Sequence, residues 1–337
     1  MDVTRPVESF LQGAGVIVDV RSPSEHRQGH IPGAVNLPLF DDEERAQVGT
    51  VYRQDGRTAA VRLGLALTGP RLATWGDRLT QLGAEGPLRL YCWRGGLRSG
   101  SVAWLAGTLG LEHHLLAGGY KSFRHWVQEE VARPRRLTLL GGSTGSGKTE
   151  VLQALRLRGA QVIDLEALAN HRGSSFGGLG LGPQPSGEAF ENALAWGLRG
   201  LDPSRPVWVE AESAQVGRCR IPGGFWSQMK TAPLLLLDRP LEERVAALTG
   251  LYGVQAPALL LEATQRLERR LGPQRTAAAM AHISAGTMDE ACRILLDYYD
   301  RTYDHELTRR PPPLGRLPVA GLDAAAVAER LIGLTAT

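Results

Sequence analysis

The chain has 337 residues, 43% hydrophobic and 22% charged, with a formal net charge of +3. At roughly 150 residues per domain this length makes about two globular domains, and the composition excludes wholesale disorder. No apolar run approaches the roughly 18 residues that span a bilayer, the longest candidate being Leu234 to Leu237.

The start, MDVTRPVESF, lacks the basic-then-apolar order of a signal peptide. Cys92, Cys219 and Cys292 are too few and too scattered for a disulfide framework or a zinc site. A reducing cytoplasm and no membrane partner are therefore expected. No basic tail or block announces nucleic acid by itself.

In chain order, Gly15 to Val20 reads as a short buried strand. The turn-rich stretch Gly29 to Pro38 leads into a second one. Leu88 to Tyr91 is another apolar strand that delivers Cys92 into a glycine-containing loop, followed by the helical pattern of Ser99 to Leu109. Arg133-Pro134-Arg135-Arg136 marks a break, expected to separate residues 1–134 from 135–337. Beyond it come strands at Leu137 to Leu140, Gln161 to Ile163, Val207 to Val209 and Leu234 to Leu237, with a helix at Glu150 to Leu157. The rest is mostly helical, including Pro257 to Arg270, Thr287 to Tyr299 and, after a stiff Pro311-Pro312-Pro313 loop, Ala324 to Leu334. Strands alternating with helices predict two α/β domains in tandem, each on a parallel sheet, the second with a helical C-terminal part.

Gly142-Ser143-Thr144-Gly145-Ser146-Gly147-Lys148-Thr149 matches the P-loop pattern between a strand and a helix. The glycines, Gly142, Gly145 and Gly147, let backbone N–H groups turn around an anion, and the following helix aims its positive end at it. Lys148 would reach the terminal phosphate, and the Thr149 hydroxyl would ligate a magnesium ion (Mg2+). The pattern recognises a di- or triphosphate and not a base, so ATP is one candidate among several. Glu210, at the end of Val207 to Glu210, could hold a magnesium-bound water or be a solvated strand-end carboxylate. Asp164 could face an acceptor or cap the helix that starts at Leu165. Arg172, Ser174, Ser175 and Phe176 form a hydroxyl-rich loop that could close over a substrate or be an ordinary mobile one. In it, Phe176 could stack on a base or pack on an apolar chain.

Cys92-Trp93-Arg94-Gly95-Gly96-Leu97-Arg98-Ser99 is the other informative stretch. A cysteine between a buried strand and a helix start sits where N–H groups and the helix dipole stabilise a thiolate, and Arg94 and Arg98 add positive charge. The same loop can hold an oxyanion, so nucleophile and anion site coincide; the alternative is a core cysteine, as expected for Cys292. Arg266, Arg269, Arg270 and Arg275 could line one face against RNA phosphates, or be a solvated helix side.

Asp19-Val20-Arg21, Glu25, the Gly29 to Ala34 stretch and the Cys92 loop together resemble a rhodanese domain. Joined to a P-loop domain carrying DLEALANHRGSSFG (Asp164 to Gly177), FEN (Phe190 to Asn192) and YYD (Tyr298 to Asp300), nearly the whole chain resembles the tRNA 2-selenouridine synthases. That resemblance implies a transferase acting on tRNA at a wobble 2-thiouridine in the anticodon arm. Such an enzyme first geranylates the sulfur with geranyl diphosphate and then replaces it with selenium from selenophosphate. Carried over, Cys92 serves selenation, and the P-loop holds the diphosphate of geranyl diphosphate or a tRNA phosphate. Cys92 to Arg98 spans seven residues, where most sulfur-transferring rhodaneses have six; the longer loop suits a tetrahedral oxyanion such as selenophosphate. The same spacing also fits a cysteine-dependent phosphatase of rhodanese fold fused to a nucleotide kinase, which is the rival expectation. A non-catalytic tRNA- or nucleotide-binding protein is the third.

Overall fold

A computed structural model describes residues 4–335. The chain divides into two compact units, Met1–Glu130 and Val131–Thr337, so the division falls before Pro134, within a helix that carries the chain across it.

In the first unit the strands are β1 (Thr4–Arg5), β2 (Val16–Asp19), β3 (Val35–Asn36), β4 (Leu88–Tyr91) and β5 (His113–Leu116). Its helices are α1 (Val7–Gln12), α2 (Pro23–Gln28), α3 (Asp42–Gln54), α4 (Gly56–Thr68), α5 (Leu72–Gly83), α6 (Leu97–Thr108) and α7 (Gly119–Ala132), the last crossing the division. The sheet is parallel in the order β1-β5-β4-β2-β3, with β4 at its centre. A central parallel strand is covered on both faces, which is why Leu88, Leu90 and Tyr91 are fully buried. Val18, Val20, Leu79, Val102 and Ala106 close the core on one side.

Asp19 at the end of β2 is fully buried and organises the loops above the sheet. Its carboxylate accepts hydrogen bonds from the Arg21 backbone and guanidinium, from Tyr91 Oη at 2.8 Å, and pairs with His26 Nδ1 at 3.0 Å. Burial alone would raise the Asp19 pKa, but the His26 and Arg21 hydrogen bonds hold it below the usual value. The Arg21 guanidinium lies over the Tyr120 ring at 3.7 Å and donates to the Gly29 carbonyl. One buried ion pair thus ties β2, the 29–34 loop, the end of β4 and the start of α7.

The second unit has strands β6 (Leu137–Gly142), β7 (Gln161–Ile163), β8 (Val207–Glu210), β9 (Gln215–Val216), β10 (Cys219–Arg220), β11 (Leu234–Asp238) and β12 (Gly315–Pro318). Helices are α8 (Lys148–Leu157), α9 (Leu165–Ala169), α10 (Gly187–Leu198), α11 (Gly223–Thr231), α12 (Leu241–Tyr252), α13 (Pro257–Gln265), α14 (Glu268–Leu271), α15 (Pro273–Ala285), α16 (Met288–Leu307) and α17 (Ala324–Thr335). The main sheet is parallel in the order β12-β11-β6-β8-β7, again with the loop-bearing strand at its centre. Trp208, Val151, Leu155, Val327 and Leu331 share one core against it. A separate apolar core, with Leu260, Leu267, Leu271, Ile283 and Leu295, holds the helices α13 to α16 together.

Three expectations need correction. The helix expected over Pro257 to Arg270 is two, because after Gln265 the bonds shorten to a three-residue span, Leu267 N to Thr264 O and Arg270 N to Leu267 O, which turns Leu267 and Leu271 into the core. The helix expected to stop at Tyr299 continues to Leu307. After the proline run lies a strand, β12, which borrows its order from β11, pairing Leu236 with Arg316.

Removing the Asp19 carboxylate strands a buried guanidinium, a loss of about 3–5 kcal/mol. Asp19→Ala is expected to collapse hydrogen-exchange protection across β2 and β4 in the first unit. Unchanged protection there would show that the network is dispensable.

Candidate functional site

Each unit carries its candidate site at the carboxyl end of its central strand, where loops of a parallel sheet converge. In the first unit β4 ends in Cys92, which is only 3% exposed. Its Sγ accepts from Ser99 Oγ at 3.2 Å. The loop is shaped from outside by the start of α7: Tyr120 N donates to Cys92 O at 2.8 Å, and Lys121 N donates to Trp93 O at 2.9 Å. The close approach demands glycine. Gly119 has φ +62°, and a Cβ there would lie 2.4 Å from both Cys92 O and Gly95 N. Gly118-Gly119 was the sequence signal for this contact, and sequence reasoning passed over it.

The two arginines of the loop part company. Arg94 is exposed and has no hydrogen bond or ion pair among the described residues. Arg98, expected beside the anion, instead forks onto Glu25, with Nη1 to Oε2 at 2.6 Å and Nη2 to Oε1 at 3.3 Å. Burial would raise the Glu25 pKa, but Arg98 takes it below the usual range. Arg98 therefore anchors α2 to the loop and is not a free clamp. Trp93 is half-exposed, its ring tilted against Tyr120.

In the second unit the glycines of the P-loop adopt the turns expected of them, with positive φ at Gly142, Gly145 and Gly147. The N–H groups of Gly145, Gly147, Lys148 and Thr149 find no hydrogen-bond acceptor among the described residues, leaving donors for an anion at the start of α8. Lys148 Nζ rests on Gly142 O at 2.8 Å, and Thr149 Oγ1 donates to Glu166 Oε2 at 3.1 Å. Two arginines that sequence reasoning missed brace the loop. Arg239 Nε donates to Ser146 O at 3.1 Å. Arg244 Nη1 donates to Thr144 O, its guanidinium held in a two-pronged pair by Asp300 of the YYD stretch. Tyr303 adds a hydroxyl that accepts from Gly142 N at 2.7 Å.

Among the carboxylates beside the loop, the capping alternative holds for Asp164, which caps α9 by accepting from Ala167 N at 2.8 Å. Glu210 is fully buried, which excludes the solvated strand end, and accepts from Leu165 N and Glu166 N while its Oε1 has no partner. Burial, then the charges of Asp164 and Glu166, push its pKa well above the ordinary value. Glu166 and Glu212, neither singled out from the sequence, converge on Gly173, where a Cβ would lie within 2.9 to 3.1 Å of their oxygens. Burial and the Glu212 charge raise Glu166 to about 7, against the pull of Lys148 and Thr149.

The 172–178 loop is packed, with Arg172 Nη1 donating to Leu179 O and Ser175 N to Tyr299 Oη. Phe176 is buried against Tyr252, so it packs on apolar neighbours and is not presented to a base. Beside it runs a narrow apolar pocket of about 30 Å3, lined by Thr144 of the P-loop together with Leu248, Tyr252, Met288 and Leu295. Cys292 lines it too, whereas Cys219 is buried elsewhere near Gln184.

Because its folded-state pKa is raised, Glu166 contributes stability at low pH that is lost as pH rises through about 7. Glu166→Gln is expected to leave the Tm unchanged near pH 4.5 and to raise it by a few degrees near pH 8. Parallel pH profiles for both proteins would assign that ionisation elsewhere.

Similarity to known proteins follows this two-site layout. Residues 6–125 match the rhodanese-like domain, and residues 135–283 match the tRNA 2-selenouridine synthase AAA domain. The tRNA 2-selenouridine synthase of Nitrosomonas europaea is 38% identical, with 84% of this chain and 73% of that protein covered. That of Nitrosomonas eutropha is 38% identical over 79% and 70%, and that of a Sulfurovum species 37% identical over 87% and 89%. A cysteine loop on a rhodanese sheet followed by a P-loop sheet, aligned along most of both chains, places this chain in the tRNA 2-selenouridine synthase family.

Proposed function

We propose that this chain is a cytoplasmic tRNA-modifying enzyme that exchanges the sulfur of a wobble 2-thiouridine for selenium by way of an S-geranyl intermediate. The observation that carries the reading is the apolar pocket that shares Thr144 with the P-loop. A diphosphate at the loop and a hydrocarbon chain in the pocket are the two halves of geranyl diphosphate, whereas a nucleoside triphosphate makes no use of an apolar sleeve there. At about 30 Å3 the pocket has room for about two waters, so a ten-carbon chain must displace side chains; flexible Met288 is suited to yield.

In the first step the C2 sulfur attacks C1 of the geranyl group, the C1–O bond breaks, and diphosphate leaves with the electron pair while N3 of the ring loses its proton. The P-loop N–H groups and Lys148 face the charge that develops on the departing diphosphate. The donor set suits magnesium: Thr149 Oγ1 and Glu166 Oε2 lie together beside the loop, and magnesium is usually bound by one or two protein oxygens with substrate phosphate completing the shell. Thr149 and Glu166 would hold it, and it would neutralise part of the diphosphate charge.

In the second step selenium of selenophosphate forms a bond to C2, geranylthiol leaves with a proton, and water splits the P–Se bond to release phosphate. Alkylation is what makes the sulfur a leaving group. Cys92, with Arg94 free at the rim and α6 starting at Leu97, is the place for the selenium donor. The engagement of Arg98 by Glu25 weighs against the phosphatase alternative, which needs that arginine on the phosphoryl oxygens. ATP has no part in this scheme.

Nucleoside mass spectrometry on a 2-thiouridine anticodon stem-loop tests it. Magnesium and geranyl diphosphate should add one geranyl mass, and selenophosphate should convert that product to 2-selenouridine. Cys92→Ala is expected to abolish selenium incorporation and spare geranylation, while Lys148→Ala lowers geranylation by roughly 10²-fold or more, as removal of a charge-stabilising donor does. Equal loss of both steps in a folded Cys92→Ala protein would sink the two-site division.

A further inference from the structure

We infer that the short helical turn between α13 and α15 is an RNA-backbone docking site, with Arg269 and Arg270 gripping phosphates of the substrate strand and Arg266 lining the same hollow. The inference rests on the reading of the chain as a tRNA-modifying enzyme and adds where the strand lies. The three guanidiniums, with Leu267 and Ser175, line a hollow of about 560 Å3.

Several features distinguish this hollow from a solvated helix side. Leu267 and Leu271 are buried in the helical core, so the turn that presents the arginines is anchored and their stems start from fixed points. The Arg269 and Arg270 side chains are exposed, and their guanidiniums have no ion pair or hydrogen bond among the described residues. Nearby carboxylates are already engaged: Glu262 pairs with Arg266 at 3.3 Å, and Glu268 accepts from Gln265 Nε2 at 2.7 Å. Arg275, which the sequence placed in the same group, pairs with Asp297 at 2.9 Å and leaves it. Two uncompensated guanidiniums lining one hollow leave it positively charged and open to an anion. All three stay in water, which suits a polymer whose charges are strung along a strand and not a small anion that a buried pocket would enclose.

The position supplies the function. Ser174 lines the apolar pocket beside the P-loop, and its neighbour Ser175 lines the arginine hollow. Ser175 N is tied to Tyr299 Oη at 3.2 Å, so the loop forms a fixed wall between the two. Phosphates held on one side of the wall set the register of the strand, while a nucleotide splayed from it reaches the other side.

The test is RNA binding without turnover. Anisotropy of a labelled 2-thiouridine anticodon stem-loop is measured across a potassium chloride series with the full chain, Arg269→Ala/Arg270→Ala, and Arg269→Lys/Arg270→Lys. Losing two phosphate contacts should weaken binding roughly tenfold near about 150 mM salt and flatten the slope of log K against log salt by about 1.4 to 1.8. The lysine variant should keep the slope, and calorimetric binding of geranyl diphosphate should be unchanged in both. Unaltered affinity and slope in the alanine variant would overturn the assignment. So would a parallel loss of geranyl diphosphate binding, which would put these arginines in the diphosphate site. Wild-type RNA that binds with the expected slope yet is never alkylated would defeat the proposed reaction and leave the docking site standing.

Discussion

A parallel strand that ends in a tight loop and a helix leaves backbone N–H groups with no partner inside the chain. Both units of this protein are built around one such strand at the centre of its sheet. Placing the loop centrally surrounds it with other loops, so the unpaired donors become a lined site instead of a frayed helix end. The chemistry then differs only in what the loop supplies: a thiol at Cys92 in one unit, a lysine and a hydroxyl at Lys148 and Thr149 in the other.

Keeping such loops in shape falls to residues that need not meet substrate. In the first unit, buried Asp19 gathers Arg21, His26 and Tyr91, and Arg21 in turn stacks on Tyr120, whose N–H holds the Cys92 carbonyl. The Glu25–Arg98 fork performs the same service from α2. In the second, Asp300 orients Arg244 on the Thr144 carbonyl, and Tyr303 holds Gly142. Several charged groups that look catalytic in the sequence are therefore braces, and the groups left unsatisfied stand out: Arg94, the P-loop N–H groups and Glu210 Oε1, which lies in a crowd of carboxylates with Glu166 and Glu212. Burial opposes ionisation of all three carboxylates, so the P-loop faces acids whose charge depends on what occupies the site.

The 172–178 segment carries the link between chemistry and substrate in the second unit. Its Phe176 belongs to the core of the C-terminal helices, its Ser174 to the apolar pocket and its Ser175 to the arginine hollow. An apolar core, the apolar pocket that opens from it and a basic hollow meet within three residues. The proposed substrate, with a charged backbone, a base to be alkylated and a diphosphate partner, would use such a meeting.

Patterns confined to a few consecutive residues were readable from the sequence. The spacing of Gly142 to Thr149 and the passage from β4 through Cys92 into α6 each depend on local backbone chemistry, as do the alternating strands that imply parallel sheets. Pairings across long separations were not readable. Arg98 reads as an anion clamp until α2 brings Glu25 to it, and Glu210 reads equally as the holder of a magnesium-bound water or as a solvated end until α9 lays Leu165 N and Glu166 N across it. Arg239 and Arg244 carry no motif, and the strand β12 forms only because β11 offers it a free edge. Local sequence determined which atoms could do the chemistry. The tertiary structure decided which of them are free to do it, because a charge is available to a substrate only when no partner from elsewhere in the fold has already taken it.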